Sequence, residues 1–299
     1  MLAWCCALWT LLGCARSEAS GSRSGPFNGQ AALGYAKAQV DFGPRVPGTD
    51  AHRLAGDWIV ARMRERADTV IEQTWTHRTA AGRDLPMRNV LARFRPDVAE
   101  RILYVTHWDS RPTSDSETND ALRMQAVPGA NDGASGVGLF VALGDVLKKT
   151  PPSVGVDLLF VDGEDYGNFD KNEDVLIGSR YFAEHLPAAN YQILFGVLWD
   201  MIGDADLQVY QETHSLERAP EVVSRVWQTA ADLGYSRWFI PESRYTVTDD
   251  HLPLLDKGLR VIDVIDLDYP AHHTTRDTID RVSANSLKIV GDVAYALVR

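Results

Sequence analysis

Three carboxylates, Asp162, Glu164 and Asp165, stand within four residues in the stretch FVDGEDYG (160–167). They follow an apolar run, 154–161, that reads as a buried strand. Like charges crowded at such a place repel, and burial raises the cost. A divalent cation would relieve that repulsion. Other groups that could join it recur along the chain. His107-Trp108-Asp109 follows the apolar segment 102–106, and Asp132 lies in GANDGASG. Asp200 ends the segment 193–200, and His272-His273 comes shortly after the last apolar run. Histidine with carboxylates, and no thiolate, is a ligand set suited to zinc. Each residue alone is ordinary: an Asp after a strand commonly caps a turn, and a lone His is commonly a surface group. Five such sites in one chain point to a shared centre. There is no Gly-x-Ser-x-Gly elbow, no P-loop and no His-Glu-x-x-His helix. The glycines of GASGVG are wrongly spaced for a dinucleotide loop and fit tight packing at a helix start.

These residues need a frame. Apolar strands are expected at 101–106, 154–161, 193–199 and 260–266, with further strands at 68–79 and 88–94. Helices are expected at 27–42, from Thr49 or Asp50 to 67, and at 135–149, 178–186, 220–233, 249–257 and 283–298. Continuous apolar strands alternating with amphipathic helices indicate a sheet covered on both faces. The expected fold is a three-layer α/β/α sandwich with a mixed, mostly parallel central sheet. In such sheets ligands gather at the carboxyl ends of the strands, where the polar groups above fall.

The net charge is −11, which argues against nucleic acid or an anionic membrane surface as partner. All three cysteines, Cys5, Cys6 and Cys14, lie in the first fourteen residues, so the remainder holds no disulfide. Residues 1–14 are apolar, too short to span a bilayer, and end in Leu-Leu-Gly-Cys. That ending resembles a bacterial lipoprotein signal, with Cys14 as the lipidated residue. Residues 15–26 form a small, polar tether, and 27–299 one domain. The expected location is periplasmic or membrane-anchored, with contact to the membrane only through the lipid.

Taken in order, THWD, GANDGASGVG, VDGEDYG, DMIGD, DDHLPLL and HHTTRDTID resemble a zinc-dependent exopeptidase family. It contains bacterial aminopeptidases and the type II (animal-like) glutaminyl cyclases. FGPRVPGT (42–49) fits it too, so the likeness runs from about residue 42 to the C-terminus. HWDSRP with GEDYG, GSR at 178–180 and the doubled acid of DDHLPLL are similar to the bacterial branch of the cyclases. The resemblance implies one zinc on Asp132, Asp165 and His273, with Asp165 where Glu is more usual. It implies Glu164 as acid/base and Asp200 and Asp249 as hydrogen-bonding groups near the substrate amine. The substrates would be peptide or protein N-termini. In an aminopeptidase, His107 and Asp200 would instead hold a second zinc. A third reading is a non-catalytic lipoprotein that binds peptides. The animal cyclases carry Trp where this chain has Asp170 and His272. A pocket from Trp108, Tyr166, Phe169, Trp199 and His272 is expected in their place.

Overall fold

The computed structural model describes Met1 and residues 25–299. The lipoprotein-like segment with Cys14, and nearly all of the tether, lie outside the described residues.

Two helices come first, α1 (Gly29–Val40) and α2 (Asp50–Arg64), then the strands β1 (Thr69–Arg78) and β2 (Asp84–Phe94). Next come β3 (Arg101–His107), α3 (Asp120–Arg123), α4 (Ala134–Lys149), β4 (Gly155–Val161), α5 (Ile177–Glu184) and β5 (Phe195–Asp200). The last part holds β6 (Val209–Glu212), α6 (Thr213–Arg218), α7 (Pro220–Asp232), β7 (Phe239–Tyr245), α8 (His251–Asp256), β8 (Val261–Ile265) and α9 (Ala284–Ala296). The caps agree with the sequence: Thr49 accepts from His52 N, and Ser283 from Asn285 N and Ser286 N.

The six-stranded sheet runs β1-β2-β4-β3-β5-β8. β1 and β2 are antiparallel to their neighbours, whereas β4, β3, β5 and β8 are mutually parallel. Those four parallel strands are buried at every residue. Their alternation splits the core into two layers. Ile102, Tyr104, Leu158 and Phe160 face the cluster containing α1, α4, α7 and α9. Leu103, Val105, Leu159 and Val161 face the cluster built with Phe182 of α5 and Leu254 of α8. This is the expected three-layer α/β/α arrangement.

Some elements differ from expectation. β2 begins at Asp84, ahead of the expected Arg88 and across Pro86. β2 pairs with β4 only from Val90 onward, so at Pro86 one edge is free and a missing N–H is tolerated. The small β6–β7 sheet and α6 carry no sequence signal. β7 is mostly exposed and contains Pro and charged residues, and β6 has four residues.

Candidate active site

Parallel strands deliver the reactive groups to one rim. His107 ends β3, Asp200 ends β5, Glu164 and Asp165 follow β4, and Asp132 precedes α4. Asp132, Glu164 and Asp200 open onto a cavity of about 390 Å³ that Asp249, His272 and His273, among others, also line.

Asp132 sits at the centre. Its Oδ1 lies 3.0 Å from His107 Nε2, and its Oδ2 lies 3.6 Å from His273 Nε2. His107 Nε2 also reaches Asp200 Oδ1 at 3.1 Å. His273 Nε2 lies 3.4 Å from Asp165 Oδ1. Ligand atoms of His107, Asp132 and Asp200 lie within 4.8 Å of one another, as do those of Asp132, His272 and His273. Asp132 thus belongs to both groups. Asp165 stands beside the second group and is held by Arg111, whose Nη1 donates to its Oδ1 at 2.5 Å.

Asp132 Oδ2 and Asp165 Oδ2 are buried and accept no hydrogen bond, and His107 Nδ1 is likewise unpartnered. Buried carboxylate oxygens without donors are what a cation would satisfy. The residues present therefore fit a metal.

The three acids of FVDGEDYG diverge. Asp162 needs no cation: its Oδ1 meets His52 Nε2 at 2.7 Å and its Oδ2 accepts from Arg88 N at 2.7 Å. Asp165 turns to Arg111, and Glu164 alone enters the cavity. Hydrogen bonds fix that loop. Asp109, fully buried, accepts from Glu164 N at 3.1 Å and from Asp165 N at 3.2 Å. Asp277 does the same for the Asp132 loop, accepting from Asn131 N at 2.8 Å and Asp132 N at 3.2 Å. Gly133 follows, and a Cβ there would meet His107 Nε2 at 2.6 Å, so the close approach of this loop to His107 requires glycine. The motifs GSR and DDH touch: Ser179 Oγ donates to Asp250 Oδ1 at 2.5 Å.

Electrostatics follow from burial and neighbours. Burial, then Asp165, Asp249 and Asp250, push the Glu164 carboxyl well above its usual range. Burial with Asp200 and Asp250 does the same to Asp249. Burial alone would raise Asp132, but His107 and then His273 hold it well below the carboxylate range. Burial would lower His273, yet Asp165, Asp115 and Asp132 lift it to about 10. Burial is overcome in the same way at His107, which is raised by Asp200, Asp109 and Asp132. Burial and His273 lower His272. The histidines that face carboxylates thus hold protons that metal binding would displace.

The expected pocket needs correction. Trp108 and Trp199 are fully buried and line nothing. Trp108 stacks on His52 with ring centroids 4.3 Å apart, and its Nε1 donates to Arg88 O. Trp199 alternates with Asp200 along β5, so it points into the helix layer against Tyr104. Tyr166 packs with Leu85, Met87 and Ile177. Phe169 and His272 do line the cavity, and Val247, Ile265 and Leu267 supply the other apolar wall. These three lie in loops or at a strand end far along the chain, where no pattern marks a wall. The sequence gives no site role to Arg111 or Asp277, and it places Asp109 only in the polar group beside His107. Asp109 and Asp277 lie inside the motifs THWD and HHTTRDTID, and Arg111 inside HWDSRP, and that placement was the available signal.

The family model described as Peptidase family M28 matches residues 89–298. The chain belongs to peptidase family M28. A solved structure, the glutaminyl cyclase of Porphyromonas gingivalis, is 37% identical with a TM-score of 0.88, over 91% of this chain and 98% of that one. A Zn-dependent exopeptidase from Parabacteroides distasonis is 31% identical with a TM-score of 0.88, over 91% and 98%. A glutaminyl-peptide cyclotransferase of Drosophila melanogaster is 24% identical over 275 residues, 83% of this chain and 75% of that protein. Both cyclase and exopeptidase names therefore occur among the M28 relatives. They are enzymes, and together with the donor set they support Zn2+ as the metal here.

Asp109→Ala tests the loop clamp. It strands two buried N–H groups, each worth about 1–3 kcal/mol when unsatisfied. A stability loss of about 2–5 kcal/mol is expected from urea unfolding. A loss under about 0.5 kcal/mol, typical of neutral surface changes, would show that the clamp is dispensable.

Proposed function

We propose that this protein is a glutaminyl-peptide cyclotransferase, converting the N-terminal Gln of peptides to pyroglutamate and releasing ammonia. The observation that carries this reading is the place of Asp249. It is 3% exposed, lines the cavity with Glu164 and Asp200, and is held towards its neutral form by burial and its acidic neighbours. Cyclisation joins two ends of one residue: the α-amine nitrogen bonds Cδ, the carbonyl carbon of the side-chain amide, and the bond from that carbon to the amide nitrogen breaks. The pocket must fold the residue onto itself, and proximity then supplies much of the rate. Bound zinc would supply Lewis acidity towards the γ-carbonyl. Glu164 takes the proton from the attacking amine and returns it to the departing ammonia. A carboxyl whose proton affinity is raised by burial suits both halves of that shuttle. Asp200 and Asp249 orient the amine, and Phe169, Ile265 and Leu267 offer an apolar wall to the side-chain methylenes. The likeness to the Porphyromonas cyclase supports this reading.

One observation favours a second reading. His107, Asp132 and Asp200 form a complete group for a second metal. In an aminopeptidase that group would be filled, and Glu164 would deprotonate a water instead.

Mass spectrometry separates the two. Zinc-loaded protein is incubated with a Gln-initiated and a Leu-initiated peptide. A loss of about 17 mass units from the first, with the second intact, is the expected result, since intramolecular attack expels ammonia. Free Leu, with no such loss from the Gln peptide, would replace the cyclase reading with the aminopeptidase one.

A further inference from the structure

We propose that His272 is itself a metal ligand, joining Asp132 and His273. This rests on the zinc reading shared by both enzyme classes, and not on the choice between them.

Successive side chains ordinarily point away from each other, by roughly 100° on a helix and 180° on a strand. Two adjacent histidines therefore seldom serve one centre. Here the backbone removes that obstacle. His273 has φ +54°, a left-handed conformation that a residue with a Cβ adopts only under constraint. The constraint is visible. Ser116 N donates to His273 O at 3.1 Å, His272 N to Tyr269 O at 3.1 Å, and Thr274 N to Ala271 O at 3.1 Å. Asp115 Oδ1 lies 3.4 Å from His273 Nδ1 and fixes the ring. The imidazoles consequently lie side by side, with centroids 3.8 Å apart at 45°.

Their nitrogens then converge. A ring nitrogen of His272, a ring nitrogen of His273 and an oxygen of Asp132 lie within 4.8 Å of one another. Asp132 Oδ2 is buried without a hydrogen bond, as a ligand oxygen awaiting a cation would be. His272 lines the cavity, so a metal reached by substrate is also reached by its ring. Two imidazoles and one carboxylate are an established set for catalytic zinc, leaving a position open. Asp165 does not exclude His272: Arg111 holds its Oδ1, and only its unpartnered Oδ2 is left to face a cation beside the two imidazoles.

The test reads metal binding, so it can fail while the cyclase reading stands, and the reverse. Zinc affinity is measured by chelator competition for the wild type, His272→Ala and His272→Phe. Phe keeps an aromatic wall and removes the nitrogen. Both variants are expected to bind zinc at least about 100-fold more weakly, at or beyond the upper end of losses seen for outer-shell partners. Circular dichroism checks their fold. Affinity within about threefold of wild type in a folded variant, a difference below about 0.7 kcal/mol, would overturn the proposal. Retained affinity in Phe alone would also overturn it, by making His272 a wall. A measurement on the unaltered protein stands apart from variant folding. X-ray absorption at the zinc edge, with one equivalent of zinc, is expected to count two imidazoles per ion. One imidazole would overturn the assignment.

Discussion

Replacing Glu164 with Gln is expected to leave zinc bound and to lower turnover by about 10²–10⁴-fold, the usual worth of a general acid–base group. Glu164 is the one acid of FVDGEDYG that faces the cavity rather than a histidine or an arginine. Its backbone N–H is anchored on Asp109, and that bond survives a side-chain change. Gln has the same shape but cannot carry a proton between two nitrogens. The change also removes a charge from a crowded place, since Asp165, Asp249 and Asp250 all press on this carboxyl. Stability should therefore hold or rise, which distinguishes a lost proton shuttle from a damaged fold. Product formation, zinc content by elemental analysis and a thermal melt are measured on one preparation. Loss of zinc would mean that Glu164 is a ligand and that its role and that of Asp165 are reversed.

What the sequence showed, and what it hid, follows physical lines. The inner strands were legible because each is buried on both faces and so reads as an unbroken apolar run. The rim followed from them, because a parallel sheet puts every strand end on one side. His107, Asp132, Glu164, Asp200 and His273 became candidates this way; the last four line one cavity, and His107 lies behind it, 3.0 Å from Asp132. The pocket walls were not legible. Large aromatics near the rim were natural candidates, yet Trp108 and Trp199 sit one residue from a rim group and alternation turns them inward. A one-residue offset decides cavity or core, and composition cannot resolve it. The second answer hidden in the sequence concerns Asp162. Its hydrogen-bonding partner, His52, lies 110 residues away on α2, and only the fold reveals that pairing. Crowded acids suggested one cation for three carboxylates, whereas the structure distributes them among a histidine, an arginine and the open cavity.

Asp132→Ala should have the largest effect on the metal, because this carboxylate is shared. One oxygen faces His107 and the other faces His273, so its removal opens both candidate ligand groups at once. Removing His107 would open only the group it shares with Asp200. The two variants therefore answer different questions. Asp132→Ala is expected to bind no zinc at micromolar concentration, and its unfolding midpoint should stop responding to added zinc. In the wild type, a ligand at 100 times its dissociation constant stabilises the fold by about 2.7 kcal/mol, and this response should vanish. Folding is affected too, since the groups come from the last residues of β3 and β5, the loop before α4 and the loop beyond β8. A metal that gathers such distant segments contributes its binding energy to the folded state. His107→Gln should keep a zinc response if His273, with Asp132, holds an ion alone, as a one-metal cyclase requires. Loss of all zinc from His107→Gln would make the two groups inseparable and favour the two-metal enzyme. Full zinc occupancy in Asp132→Ala would remove Asp132 from the site, and with it the shared centre around which both readings are built.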